Sequence, residues 1–439
     1  MANILNTGVS ALKAFQWQLN TTGQNIANVN TEGYTRQSVS LGTRASETEL
    51  GRQGSGVSIE SVYRNYDMFL VNRARSYNSS QEDFSTYNTL ATQVDSLIAD
   101  ADAGIGQSIS DFFNAAHDVA SDPTSVPARD VMLNRASNLT DRFNAMDSWL
   151  TEMNAQVNDN IESQIGEINR IAGSIANVNL RLVELGYGNG AIPPNDLLDQ
   201  RDRLLNELAG YTSVNVVDQD KGSLNVLIGN GQALVLGGNA SRLDVQFDPL
   251  APDEFDIVMP QQAGPSISVT DQLTGGSIAG ALRFRNDMLS TTKNDLGLLA
   301  MGVAQAVNDV HAQGADLDGQ PGLEFFSIPT PEIIARPDND SSASLAIDDV
   351  GALTGDDYEL VYANANWMLI NDSTGATVPM TGSGTAGDPF VAQGMRIEIS
   401  GPPAEGDRYA LRPTRDAARQ LNTLIEDPRK IAAADIGAG

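Results

Sequence analysis

Apolar residues recur at Leu5, Val9, Leu12, Leu19 and Ile26, with Gln16 and Gly23 filling out the same stripe in steps of four and three. That is the period of a helix that lies along another helix. Polar residues crowd the rest of the segment (Gln18, Asn20, Thr21, Thr22, Gln24), so this helix needs a partner to bury its one narrow apolar face. Asn28 and Asn30 can cap and turn the chain, and Gly33 permits the left-handed backbone that ends a helix. Short β-type runs follow between residues 41 and 65, giving a hairpin-like connector that includes Gly54 to Val62.

From Tyr66 the pattern is helical again, with Phe69, Leu70, Ala74, Tyr77, Phe84, Tyr87, Leu90, Val94 and Leu97 as the apolar stripe. Asp100 to Gly106 reads as a loop, and Ile109, Phe112, Phe113, Ala116 and Val119 as a short helix stopped by Asp122-Pro123. The strongest periodicity comes next: Leu139, Phe143, Met146, Leu150, Met153, Val157, Ile161, Ile165, Ile168, Ile171, Ile175, Val178, Leu182 and Leu185. A helix of about 47 residues at 1.5 Å per residue would extend about 70 Å. Gly166 and Gly173 are places where it could kink, and Gly186 to Gly190 is its expected stop.

Asp196 is placed to cap a further helix with Leu197, Leu198, Leu204, Leu205 and Leu208 on its apolar face and Asp/Arg pairs on its exposed one. Residues 211–280 alternate as short strands, and Ser277 to His311 forms a helix suited to pair antiparallel with the long one. Strand-like runs return over residues 328–413, and Ala417 to Ile425 begins a last helix. The expected fold class is α+β and multidomain, an elongated, coiled-coil-like bundle of long helices with inserted antiparallel β-rich domains and an N-terminal amphipathic helix. Its expected parts are residues 1–40 (axial helix), 41–210 completed by 277–313 (helical rod), 211–276 and 314–413 (β-rich), and 414–439 (the start of a C-terminal return helix).

Composition narrows the function. Over 439 residues, 27 basic against 56 acidic residues give a net charge of −29, which argues against nucleic acid and anionic membranes as partners. The absence of cysteine removes disulfides, thiolate metal sites and thiol nucleophiles. No basic-then-apolar leader opens the chain, and no apolar run approaches the roughly 20 residues of a membrane span. Taken alone, these features describe a soluble cytoplasmic protein.

Candidate chemistry is sparse. His117 reads as a surface or packing residue, while His311 lies at a helix end where it can bond a terminal carbonyl or the following turn. Asp316-Leu-Asp318-Gly319 with Glu324 lacks the spacing of a calcium loop and reads as an Asp-Gly turn. Gly382, Gly384 and Gly387 match a dinucleotide pattern, but Asp388-Pro389 follows where a helix is required. Neither a nucleophile elbow nor a phosphate loop occurs. The expectation is no enzyme, no metal and no cofactor.

Three segments resemble flagellar axial proteins. The first comprises Ser10-Ala-Leu12, Gln24-Asn25-Ile26-Ala-Asn28 and Asn30-Thr31-x-Gly33-Tyr34-x-Arg36-Gln37. The second is Asp199-Gln-Arg-Asp202 followed by paired leucines, and the third runs from Asn308 through His311, Gly314, Asp316, Gly319 and Gly322 to Phe325-Phe326. Together they are similar to the FlgK family of hook-associated proteins, and they set the chain apart from rod and hook subunits proper. The resemblance implies a structural adaptor joining hook to filament, exported by the flagellar type III apparatus with an export chaperone and no cleaved signal peptide. It places the protein extracellularly, in the bacterial flagellum. The implied partners are hook protein, a second (FlgL-like) junction protein and copies of itself in a ring.

The axial motif would be carried by Leu5, Val9, Leu12, Leu19, Asn25, Ile26, Asn28, Asn30, Gly33, Tyr34, Arg36 and Gln37. By the same resemblance a long C-terminal helix pairs with the N-terminal one, and nothing after Arg415 supplies it, so this sequence reads as truncated or as taking that helix from elsewhere. The alternative is a secreted adhesin or carbohydrate-binding protein using a flagellar export signature.

Overall fold

The computed structural model describes residues 2–44, 56–98, 104–187, 194–219, 222–261 and 264–435. Parts of several expected features fall outside them: residues 45–55 of the hairpin connector, 100–103 of the first loop, 188–190 of the helix stop, 220–221 and 262–263 of the β-rich stretch and 436–439 of the expected C-terminal helix segment. The chain divides into two compact units, one of Met1–Thr86, Ile161–Val245 and Ile257–Gly280, the other of Tyr87–Asn160, Gln246–Asp256 and Ala281–Gly439.

The longest described helix is the unbroken α4 (Val126–Glu184), numbered after α1 (Ala2–Ala27), α2 (Met68–Ile98) and α3 (Ile105–Ser121). Every residue of its expected stripe from Leu139 to Leu182 is buried, and only Leu185, beyond the helix, is exposed. Gly166 and Gly173 sit off the stripe, where an added Cβ would meet nothing within 4 Å. They produce no break, because the buried face on either side carries the helix through them. The helix also begins 13 residues earlier than the stripe suggested, at Val126, with Met132 and Ala136 extending its buried face.

Asparagines on α4 dock the strands. In the first unit, Asn179 Nδ2 donates to Leu224 O (2.9 Å) and Gly237 O (2.8 Å), and its Oδ1 accepts from Leu224 N–H (3.3 Å). Asn169 exchanges two bonds with Leu243, donating to its carbonyl (2.8 Å) and accepting from its N–H (2.9 Å). Such a side-chain amide reproduces a backbone peptide, so a strand can end against a helix with its donors and acceptors satisfied. The strands held this way include β3 (Val214–Asp218), β4 (Leu224–Ile228), β5 (Gln232–Leu236) and β6 (Asn239–Ala240), an antiparallel sheet in chain order. A second small sheet contains β7 (Asp244–Asp248), β8 (Ala251–Met259) and β9 (Ile267–Ser268).

In the second unit the same device holds the start of β8, where Asn154 and Asn158 both donate to Asp253 O (2.7 and 2.8 Å). Charged groups fix that strand further. Arg412 reaches Asp253 (3.0 Å), and Arg415 reaches Glu254 (3.2 Å) and Asp357 (2.6 Å). The helix from Ser277 onward is confirmed as α6 (Gly276–Arg283), a π-turn (Phe284–Leu289) and α7 (Ser290–His311). α7 runs antiparallel to α4, since Lys293 bonds Thr151 (3.1 Å) while Val307 and Val310 share a groove with Met132.

Beyond β10 (Gly314–Ala315), the strands are β11 (Glu332–Ala335), β12 (Ser342–Ile347), β13 (Tyr358–Ala363), β14 (Asn366–Asn371), β15 (Thr377–Val378), β16 (Phe390–Ala392), β17 (Met395–Ser400) and β18 (Arg408–Arg412). They form sheets of order β11-β18-β13-β14-β15 and β12-β17-β16 around Leu360, Leu369, Ile397 and Tyr409.

Two expectations are corrected. The last helix, α8, covers only Ala417–Gln420. After it, Leu424 N–H donates to Phe325 O (2.9 Å) and Ser327 N–H to Asn422 O (2.9 Å), so the backbone pairs with another segment in place of coiling. Asp427-Pro428 then opens a short 3-10 turn, and β19 (Ala434–Asp435) pairs with β10. The α2 stripe is corrected over its first half: Phe69, Leu70, Tyr77 and Phe84 are exposed and Arg75 and Ser79 are buried there, whereas Val94 of the expected stripe is buried and Tyr87, Leu90 and Leu97 are half-buried. Arg75 turns that face inward to reach two acceptors on the helix described next.

Candidate assembly face

α1 lies on the hairpin of β1 (Gln37–Thr43) and β2 (Val57–Arg64), an antiparallel pair with a bulge at Ser40/Leu41. It touches the hairpin with its small and polar side. Ala14 and Thr21 are buried, and Ser10 Oγ accepts from Val57 N–H (3.2 Å). The apolar stripe faces away: Leu5, Val9, Leu12, Leu19 and Ile26 are 69, 46, 71, 72 and 69% exposed. Ile4 and Phe15 widen it. A helix that docks by its polar side and leaves its leucines in water has its hydrophobic face in reserve.

The turn after α1 is organised by Asn25. Its Nδ2 donates to Gln37 O, and its Oδ1 accepts from Gln37 N–H and from Tyr34 OH, each at 2.9 Å. Asn28 bonds back to Gln24 O (3.0 Å) and accepts from Thr31 Oγ1 (3.2 Å), so it closes the helix end as expected. Asn30 is exposed in the turn. Gly33 has φ +75°, and a Cβ there would meet the Arg203 side chain at 2.1 Å. The Arg36 carbonyl accepts from Asn65 N–H (2.8 Å) and closes the hairpin, while its side chain stays at the surface. The structure therefore brings Asn25, Tyr34 and Gln37 into one cluster and lines the five apolar residues along the opposite side of α1.

The anchor beneath this turn is α5 (Asn195–Tyr211). Its apolar face is as expected, with Leu197, Leu198, Leu205 and Leu208 buried. Two other expectations for it are corrected. Asp196 lies in the first turn without capping, since Pro194 occupies the N-cap position. The Asp/Arg pairs do not lie on an exposed face: Asp199 and Arg201 are both buried.

The partners explain why. Arg64 donates to Asp199 (2.9 Å) and Asp202 (2.7 Å); Arg75 donates to Asp202 (3.0 Å) and to Asn206 (2.8 Å). Thr35 N–H donates to Asp199 Oδ2 (3.3 Å), and Asn195 donates to Gln37 Oε1 (3.2 Å) and Val62 O (3.0 Å). The Asp-Gln-Arg-Asp segment thus ties hairpin, axial turn and α2 to one helix. Burial works against the charge on Arg64, but the hydrogen bonds it donates to Asp199 and Asp202 outweigh it and raise its pKa. Arg201 lacks such pairing, and burial lowers its pKa. Sequence reasoning passed over Arg64, Arg75 and Asn195; the available signal was two aspartates three residues apart on a leucine-rich helix.

The third motif is a clamp in the other unit. Asn308 Oδ1 accepts from Phe325 and Phe326 N–H (2.8 and 2.9 Å), and its Nδ2 donates to Phe326 O (2.9 Å). A Cβ at Gly322 would lie 1.9 Å from His311 O, which accounts for glycine there. Asp316 Oδ1 accepts from Asp318 and Gln320 N–H, both at 2.8 Å, closing an Asp-Gly turn as expected. Lys430 Nζ bridges Asp316 (3.1 Å) and Asp318 (2.9 Å). Among the described residues no group of three His, Asp or Glu side chains is placed to hold a metal ion, and no helix is long and apolar enough to cross a membrane.

Comparison with known proteins accords with this construction. Residues 5–35 match the flagella basal body rod protein family, and residues 91–326 match the flagellar hook-associated protein FlgK helical domain. Flagellar hook-associated protein 1 of Salmonella typhimurium is 32% identical, with 99% of this chain and 79% of the relative covered. The Escherichia coli protein of the same name is 30% identical, with 99 and 80% covered. The solved flagellar hook junction protein FlgK of Burkholderia pseudomallei superposes with a TM-score of 0.77 at 28% identity, over 83% of this chain and 66% of that one. The chain belongs to the flagellar hook-associated protein 1 (FlgK) family.

Proposed function

We propose that the protein is a structural adaptor at the hook–filament junction of the bacterial flagellum, working outside the cell. The observation that carries this reading is α1, which spends its polar side on its own hairpin and presents Leu5, Val9, Leu12, Leu19 and Ile26 outward at heptad spacing. Burying five such side chains against neighbouring helices is worth about 1.5–3 kcal/mol each. That supports ordering of the terminal helix coupled to assembly, because the monomer alone gives the stripe little to pack on. The neighbours we assign are hook protein on one side, an FlgL-like second junction protein on the other, and copies of this chain around a ring. Export through the flagellar type III apparatus, with a chaperone and without leader cleavage, completes the reading. The protein catalyses no reaction in it.

The test is deletion of the gene, with cells inspected by electron microscopy and the medium probed for flagellin. Bare hooks with flagellin released into the medium are expected. Intact filaments on swimming cells would overturn the reading.

A further inference from the structure

We propose that His311 is a pH-operated latch on the segment from Pro428 to Ala434, closed while the imidazole is neutral and released when it is protonated. The geometry admits one neutral tautomer. Nε2 lies 2.8 Å from Ala432 N and accepts its N–H, so it carries no proton. Nδ1 lies 2.5 Å from Leu323 O and must therefore be the protonated nitrogen. Adding a proton at Nε2 sets a donor against a donor and leaves the Ala432 N–H unsatisfied beside a buried ring.

The other ties on the segment keep their charge across the same pH range. Arg129, fully buried on α4, donates to Pro123 O and to the carbonyls of Pro428 and Ile431. Lys430 and Arg429 pair with Asp316 and Asp318, whose carboxyls are held below their ordinary values, Asp316 by backbone N–H bonds first and Asp318 by Arg429. Ala433 N–H donates to Ala315 O (3.1 Å), and Ala434 pairs with Ala315. α3 turns Phe112 and Val119 toward this region, and Glu324 is exposed. His311 is thus the group in this cluster that changes state near neutrality.

The sign follows from burial. Desolvation, with Arg129 adding to it, lowers the His311 pKa below the ordinary 6.5, although the Leu323 carbonyl and Asp316 oppose the shift. A depressed folded value means the latch is fully closed above the pKa of the released imidazole. As pH falls below about 6.5 toward the depressed value, the ratio of closed to open segment drops about tenfold per pH unit.

Amide hydrogen exchange on the full chain, corrected for intrinsic exchange, tests this at Ala432 between pH 7.5 and 5. The Ala432 protection factor should fall by up to about tenfold per pH unit below 6.5, with Ile168 on α4 unchanged. In His311→Gln, which cannot titrate, the Ala432 pH dependence should vanish. Protection that is flat down to pH 5, or that falls equally in the variant, overturns the latch. Should the variant fail to fold, the imidazole nitrogen shifts of the natural chain decide independently. An Nδ1–H tautomer at pH 7.5 is expected, and an Nε2–H tautomer overturns the proposal.

Discussion

Asp202 carries more of the first unit than its position in a polar run suggests, because one carboxylate receives both Arg64 and Arg75. Removing it leaves the buried Arg75 and the half-buried Arg64 each short of a partner. Asp202→Ala should cost about 3–5 kcal/mol, read as a shift of the urea midpoint, whereas an exposed pair such as Arg336–Asp338 should contribute under about 1 kcal/mol. The contrast bears on what a sequence can reveal. Aspartate and arginine at helical spacing look the same whether they face water or meet charges more than 120 residues away. Nothing local to Asp199-Gln-Arg-Asp202 announces Arg64 or Arg75, so the segment read as a solvated face. Asn25 was legible as part of a family-like motif, but its role as a surrogate peptide for Gln37 depends on a bond across 12 residues.

At the scale of elements, legibility followed the density of apolar contacts. The α4 stripe was readable because one face is buried along nearly the whole helix, and the strands over residues 211–280 because alternation and turn residues coincide. The first half of α2 was misread because its inward face there is set by Arg75 seeking acceptors, which no hydrophobic period encodes. The last helix was overcalled because pairing of Asn422 and Leu424 with the segment around Phe325 competes for the same backbone groups. The asparagines of α4 also lay outside the hydrophobic pattern, although they join helix to sheet. Asn179→Ala should leave Leu224 N–H and two carbonyls unsatisfied and cost about 1–3 kcal/mol. Asn134→Ala on the same helix, where the exposed amide bonds Asp130 O, should change stability by less than about 0.5 kcal/mol. Urea unfolding of the two variants side by side measures the difference.

For the whole molecule, the two sides of α1 separate folding from assembly. Leu12 and Leu19 contribute little to the free chain, since each keeps about seven-tenths of its surface in water. The double variant Leu12→Ser/Leu19→Ser should therefore unfold within about 0.5 kcal/mol of the natural chain. If those leucines are buried between copies at the junction, the same variant loses about 1.5–3 kcal/mol per side chain in every copy. Cells carrying it should then show bare hooks despite a normally folded protein. Ala14→Glu is the complementary change, because Ala14 is buried in the docked side of α1. A carboxylate forced there should detach the helix from its hairpin, which would appear as lost protection of the Val57 amide that bonds Ser10. A serine double variant that still builds filaments would show that the exposed stripe is not the assembly face, whatever its heptad spacing. Loss of filaments with an unchanged urea midpoint would locate the junction contact on the side of α1 that its own fold leaves open.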